Sequence, residues 1–334
     1  MVSAFPTPTP AVLVLSLGGT IAMTPPTGAV GGVAPRLTAA DLVAAVPGLE
    51  AEGGLEIQDF RQVPGAWLEV DDIAGLAELL NKRAAAGMSG FVITQGTDTL
   101  EETAYLLDLL YEGSAPVVVT GAMRNPTMAG ADGPANLLAA VRTAASPDAR
   151  DLGALVVFAD EIHAARHVRK VHSTSTSAFA SPGAGPIGHV VEGQPSLRFS
   201  LNRFPAIAHS STRTAIVEVV ETTLGSSGAL LRCADEHLDG LVIAAFGAGH
   251  VPKSWIGHLE NLANRIPVVL TSRTGAGSVL ANTYTFPGSE TDLLARGLIN
   301  GGMLDPRKAR LLLLTLLHAG ADRSEILAAF TARR

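Results

Sequence analysis

Two short stretches of the chain carry residue types able to do acyl chemistry. Gly18-Gly19-Thr20 and Gln95-Gly96-Thr97-Asp98 each place a threonine directly after a glycine, and each follows an apolar run. Glycine lets a substrate approach the backbone closely and frees neighbouring amides for a developing oxyanion. Threonine brings a hydroxyl nucleophile, weak until its proton is removed or its surroundings polarised. A base is also needed. Lys170 lies in the polar segment ARHVRKVHSTSTSAF, away from any obvious solvated helix face. A lysine drawn out of water beside Asp98 would share protons with the Thr97 hydroxyl. The same features also fit an ordinary βα connection and a surface loop lysine. Neither a Walker lysine pattern nor G-x-G-x-x-G occurs at these turns, which lowers a nucleotide-binding reading.

The elements that must position these residues follow from patterning. Val12–Leu17 and Phe91–Ile93 have the continuous apolar character of buried parallel strands. Thr99-Leu100-Glu101-Glu102 has the form of a capping box, and the apolar spacing after it predicts a helix to about Gly113. Thr97 and Asp98 are therefore expected at the carboxyl end of a strand facing a helix N-terminus, where open α/β sheets bind ligands. Helices are predicted over Thr38–Val46, Glu69–Ala86, Asp132–Ala145, Gly228–Ala234, Ser254–Ala263, Glu290–Asn300, Asp305–Ala319 and Ser324–Thr331. Strands are predicted over Gly54–Val63, Pro116–Val119, Ala154–Phe158, Ala215–Val220, Gly240–Ala245 and Pro267–Thr271, and Thr24–Pro35 reads as a mobile loop. The βα alternation predicts an α/β protein of two domains, each a parallel-sheet layer flanked by helices. Residues 1–190 form the larger N-terminal domain with the threonine turns, 191–213 the linker and 214–334 the smaller C-terminal domain.

Composition narrows the function classes. The 334 residues are 47% hydrophobic and 16% charged, enough for two packed cores and too apolar for extended disorder. A net charge of −7 disfavours nucleic acid or an anionic membrane as partner. Cys233 is the only cysteine, so neither an intrachain disulfide nor a cysteine-based zinc site is available. The N-terminus has no basic segment before its apolar run, and no run reaches membrane-spanning length, so the cytoplasm is the expected location.

The motifs together resemble the bacterial-type L-asparaginase/glutaminase family. LSLGGTIAM is similar to the family's first signature around its catalytic threonine. GFVITQGTDTLEETAYLLDL is close to the second, with Gln95 where histidine is usual. VVVTGAMRNPTMAGADGPANLLAAV matches the strand, turn and helix that follow, and Asp305-Pro306-Arg307-Lys308-Ala309-Arg310 resembles the C-terminal helix start. The resemblance implies hydrolysis through a threonine acyl-enzyme with no metal or organic cofactor, in a homodimer or homotetramer with sites completed between subunits. It implies Thr20 as nucleophile and Thr97, Asp98 and Lys170 as the second catalytic set. The counterpart of Asp98 also holds the substrate amino group. The resemblance further implies that Gly19 and Gly96 supply backbone at the substrate, that Ala122 contacts the side-chain amide through its backbone, and that Gly65 and His250 stand at the substrate's amino-acid end.

Four departures bear on the substrate. No tyrosine occurs in Ala22–Leu42, where the family has an activating partner for the nucleophile. No serine stands at Pro64-Gly65-Ala66 to grip an α-carboxylate, and His250 replaces a partner-subunit asparagine. No glutamate is evident around Asn282–Phe286, although Tyr284 is there. The expected function is hydrolysis of L-asparagine to L-aspartate and ammonia, with weakened discrimination for the free amino-acid end. The alternatives are an amidase for a different small amide and a non-catalytic amino-acid-binding protein.

Overall fold

The computed structural model describes residues 11–24, 34–35, 37–52, 54–209, 214–233 and 237–333. The chain forms two compact units, Met1–Ala206 and Ile207–Arg334. Most of the loop expected over Thr24–Pro35 lies outside the described residues; its two ends, β2 and β3, pair with one another.

In the first unit the elements run β1 (Val12–Gly18), β2 (Met23–Thr24), β3 (Ala34–Pro35), α1 (Ala39–Ala44), β4 (Leu55–Val63), α2 (Val70–Ala85), β5 (Gly90–Thr94), α3 (Leu100–Leu110), β6 (Val117–Thr120), α4 (Gly133–Ala145), β7 (Ala154–Phe158) and β8 (Glu161–Ala164). Then come β9 (Arg169–Lys170), β10 (Phe179–Ala180), β11 (Gly188–Val191) and β12 (Gln194–Leu197). Eight strands form one sheet in the order β12-β11-β8-β7-β6-β5-β1-β4. The five from β7 to β4 are parallel. β1, β5, β6 and β7 are buried along their whole length, which explains their unbroken Val, Leu and Ile runs. Val12, Val14, Val92 and Val118 pack against Leu42 of α1 and Leu137 of α4 in one continuous core.

The order has a direct consequence for function. From β1 the chain steps outward to β4, then crosses back over β1 to β5. The order thus reverses between β1 and β5, and the crevice beyond their carboxyl ends is where an open α/β sheet binds ligands. Thr20 and Thr97 follow those two ends.

Three expectations are corrected. The first sheet is not parallel throughout, because β8, β11 and β12 extend it antiparallel. The segment 191–213 is not all linker, since it contains β12, joined to β11 by Glu192-Gly193 with φ 50 and 75. Thr99 does not close a capping box: its side chain makes no cap hydrogen bond to α3. The Thr99 hydroxyl donates instead to the Gly65 carbonyl at 2.9 Å, a tertiary partner that local propensity does not reveal.

The second unit holds β13 (Val217–Glu221), α5 (Ala229–Cys233), β14 (Gly240–Ala245), α6 (Ile256–Ala263), β15 (Val268–Ser272), α7 (Glu290–Ala295), β16 (Ile299–Asn300), α8 (Pro306–His318) and α9 (Arg323–Thr331). Its four-stranded parallel sheet follows chain order. The helix expected over Glu290–Asn300 is only its first half. Gly297, at φ 94, ends the turn, and Ile299–Asn300 then joins β15.

Glycine is required where the first unit is tightest. Gly19 adopts φ 85 and ψ −172, a region only glycine enters readily. A Cβ there would lie 1.9 Å from the Gly96 backbone nitrogen. Gly19→Ala should therefore lose at least about 3 kcal/mol of unfolding free energy, strain and clash together. Urea denaturation measures this, and an unchanged midpoint would mean that the two turns are not in contact.

Candidate active site

The site is assembled from the ends of four adjacent strands, in the order β6, β5, β1, β4. At β1 the chain leaves through Gly18 and Gly19, both with positive φ, into a 3-10 turn, Thr20–Ala22. Ala22 N–H donates to the Gly19 carbonyl at 2.9 Å, and buried Ile21 anchors the turn in the core. Thr20 is half-buried, and its hydroxyl has no hydrogen-bond partner among the described residues. At β5, Gly96 abuts Gly19 on one side, and its missing Cβ would lie 3.0 Å from the Gly65 nitrogen on the other. At β6, a Cβ on Gly121 would lie 2.5 Å from the Gln95 carbonyl oxygen. Gly19, Gly96 and Gly65 thus meet through their backbones, and Gly121 abuts the Gln95 carbonyl, so that the four form a floor of backbone.

Thr97, Asp98 and Lys170 meet beside this floor. Lys170 Nζ donates to Thr97 Oγ1 at 2.9 Å and pairs with Asp98 Oδ1 at 2.7 Å. Thr97 is 6% exposed; the Lys170 side chain is mostly buried, whereas that of Asp98 is 71% exposed. An oxygen that already accepts from Nζ keeps its own O–H for a group on the open side. The Lys170 backbone is fixed as well, because its N–H donates to Glu101 Oε2 at 2.5 Å and the residue pairs with Phe179 across β9 and β10. Glu101 is a positioning residue that the sequence reading missed, since a glutamate in a first helical turn reads as solvated. It is 2% exposed.

The turn after β6 is held by side chains from α4 and from Asp132 just before it. Asn136 Nδ2 donates to the Gly121 carbonyl at 3.0 Å, and Asp132 accepts from Met123 N–H at 3.0 Å and Arg124 N–H at 2.9 Å. Ala122 itself is fully buried under that turn. Gln95 Nε2 donates to the Gly96 carbonyl at 3.2 Å, while Gln95 Oε1 and Thr94 Oγ1 are buried without a partner. A small hollow of about 50 Å³ lies behind Ile21, lined mostly by apolar residues such as Leu37, Leu42, Val46 and Leu137, with Arg124 among them.

The chain belongs to the asparaginase family. Residues 11–203 match the model of the asparaginase N-terminal domain, and residues 216–330 that of the glutaminase/asparaginase C-terminal domain. The chain is 37% identical over 330 residues to a probable L-asparaginase of Deinococcus radiodurans, covering 98% of each. It is 32% identical to a glutaminase-asparaginase of Pseudomonas fluorescens, covering 94% of this chain and 88% of that protein. The crystal structure of a probable cytoplasmic L-asparaginase from Campylobacter jejuni superposes with a TM-score of 0.86 at 31% identity, covering 96% and 99% of the two chains. The two-domain asparaginase fold expected from the motifs is therefore present, with the larger unit first.

His250 belongs to the second unit of this asparaginase-family chain. Its backbone pairs with Phe246, and its ring packs edge-on to Tyr284 and Phe286 at 4.8 and 5.0 Å between centroids. The segment Asn282–Phe286 holds no glutamate of its own, and the completely buried Glu290 braces its backbone. Glu290 Oε1 accepts from Thr283 N–H at 3.0 Å and Tyr284 N–H at 2.8 Å. Its Oε2 lies 3.3 Å from His250 Nε2, at ion-pair distance but outside hydrogen-bond geometry. Burial pushes the Glu290 carboxyl up, but the Tyr284, Thr283 and Glu290 N–H groups and the imidazole outweigh it and hold it below its ordinary value. Among the described residues no cluster of three or more His, Cys, Asp or Glu side chains is arranged to hold a metal, and no helix is long and apolar enough to cross a membrane.

Two predictions follow from this geometry. If Thr97 and Lys170 act as one relay, Thr97→Val and Lys170→Met should each lower kcat/KM by about 10²-fold or more. The double variant should be little worse than either alone; multiplying losses would place Lys170 outside the relay. For Glu290, a depressed folded-state pKa gives stabilisation that is complete above the ordinary carboxyl range and lost as pH falls through the folded value. The Tm advantage of wild type over Glu290→Gln should thus be largest near pH 6 and shrink towards pH 3. A gap that does not change with pH would mean the carboxylate gains nothing from ionising there.

Proposed function

We propose that the protein is an amidohydrolase of asparaginase type, hydrolysing the side-chain amide of L-asparagine to L-aspartate and ammonia. The observation that carries this is the Lys170 ammonium bridging Thr97 and Asp98 at the point where the Gly96 turn touches the Gly19 turn. One nucleophile-bearing turn and one proton relay share a single floor. In the first half-reaction Thr20 Oγ1 attacks the amide carbon, and the C–N bond breaks to leave a Thr20 ester. The nitrogen takes a proton from Thr97, which Lys170 replaces along the existing Nζ–Oγ1 hydrogen bond, and the proton lost by Thr20 restores the relay. In the second half water adds to the ester carbon, the C–O bond to Thr20 breaks, and Thr20 regains a proton. Backbone N–H groups beside Gly19 and Gly96 support the oxyanion in both halves. Asp98, exposed at the rim, is placed to hold an ammonium group of the substrate as well as Lys170.

The departures at Pro64-Gly65-Ala66 favour a second reading, an amidase for another small amide, because that segment offers no side-chain hydroxyl to a carboxylate. A cytoplasmic homodimer or homotetramer, in which His250 and Gly65 meet the amino-acid end of the substrate, belongs to the leading reading. Thr20→Ala should retain its fold by circular dichroism and lose at least about 10³-fold in ammonia release from L-asparagine. Near-normal release would remove Thr20 from the nucleophile's role.

A further inference from the structure

The rim of the site on the β4 side has a composition unlike the rest of it. From Val63 to Leu68 the chain reads Val-Pro-Gly-Ala-Trp-Leu, six successive residues without a charge or hydroxyl. The segment is fixed by three contacts. Gly65 packs against Gly96, the Gly65 carbonyl accepts from Thr99 Oγ1 at 2.9 Å, and Trp67 N–H donates to the Pro64 carbonyl at 2.9 Å to close the 3-10 turn, Gly65–Trp67. Two residues beyond the floor stands Trp67, 71% exposed, whereas the other tryptophan, Trp255, is 1% exposed. Ala66 beside it is also exposed.

We infer that Trp67 forms an apolar subsite for a group attached to the far end of the substrate, so that the preferred amides are asparagine derivatives substituted on the α-carboxyl by an apolar or aromatic group. This rests on the reading of the site as an amidohydrolase and deepens it. An amide carbon at Thr20 lies between the β6 turn on one side and the β4 turn on the other. The β6 turn is occupied by Gly121 and its α4 clamps, so the remainder of the substrate extends towards Gly65 and Trp67. A free carboxylate meets no cationic or hydroxyl side chain within Val63–Leu68, and Pro64 lacks an N–H to offer it. A neutral amide with a ring attached loses nothing there and covers an indole face, a contact that edge or offset stacking makes worth about fivefold in affinity.

The test has a kinetic arm and a binding arm. Ammonia release is compared for L-asparagine, its α-methylamide and its α-benzylamide, using wild type, Trp67→Ala and Trp67→Phe. The inference expects the benzylamide to exceed the methylamide about fivefold in kcat/KM, the ratio to fall to near one in Trp67→Ala, and Trp67→Phe to keep most of it. A ratio that Trp67→Ala leaves untouched overturns it. In the binding arm, tryptophan emission of Thr20→Ala is followed as the benzylamide is added. A saturable blue shift absent from Thr20→Ala/Trp67→Phe supports the subsite, and no shift overturns it. Emission from Trp67 that is already that of a buried indole before any ligand is added also overturns it. If wild type hydrolyses none of the three amides the amidohydrolase reading falls, yet the binding arm still decides the role of Trp67.

Discussion

The structure of the first unit depends on one contact between two backbones, that of Gly19 with Gly96. It exists because neither residue has a side chain and because Gly19 takes a conformation closed to other residues. Everything chemical is referred to it. Thr20 and Thr97 are each one residue beyond the contact, so their relative position is set by covalent geometry and two buried strands rather than by flexible side chains. Gly65 and Gly121 extend the same logic to the neighbouring strand ends. Hydroxyl groups placed this way need little reorganisation if charge develops beside them, the condition under which electrostatic stabilisation is strongest.

Much of this was legible in the sequence, for identifiable reasons. Strands buried on both faces announce themselves as unbroken apolar runs, and the glycine-threonine pairs that end β1 and β5 are local signals that tertiary context cannot erase. Lys170 was legible as an anomaly, a lysine among serines and threonines without a helical stripe. What was not legible was whatever depends on a distant partner. Thr99 has the right neighbours for a capping box, yet the Gly65 carbonyl takes its hydroxyl. Glu101 and Glu290 look like exposed helix-start acids, and both are buried against backbone N–H groups from other segments. The overlong helix after Glu290 had a visible warning in Gly297, because a glycine ahead of an apolar pair marks a helix end as readily as a weak interior. The Glu192-Gly193 hairpin was harder to see, since glutamate is a poor advertisement for a positive-φ turn.

The two units use their carboxyl-end loops differently, and strand order explains why. In the first the order reverses between β1 and β5 and opens a crevice. In the second β13 to β16 lie in chain order, so no reversal occurs and the loops pack on one another. Phe246 and His250 close a five-residue loop, and Tyr284 and Phe286 crowd against the imidazole. The buried Glu290 carboxylate fixes the backbone of the Thr283–Tyr284 segment, which gives that half-exposed aromatic group a rigid base.

A floor made of glycine backbone also constrains how such a protein can diverge. Side chains are the usual material of drift, and here the surface under the reacting carbon has none to exchange. A new side chain at Gly19 or Gly121 clashes with backbone and is a folding error before it is a change of specificity. Novelty is therefore confined to the rim, where Ala66–Leu68 can be rewritten while β4 and the Gly65–Gly96 contact stay in place. Lineages built on this architecture can wander between substrates while the chemistry underneath stands still.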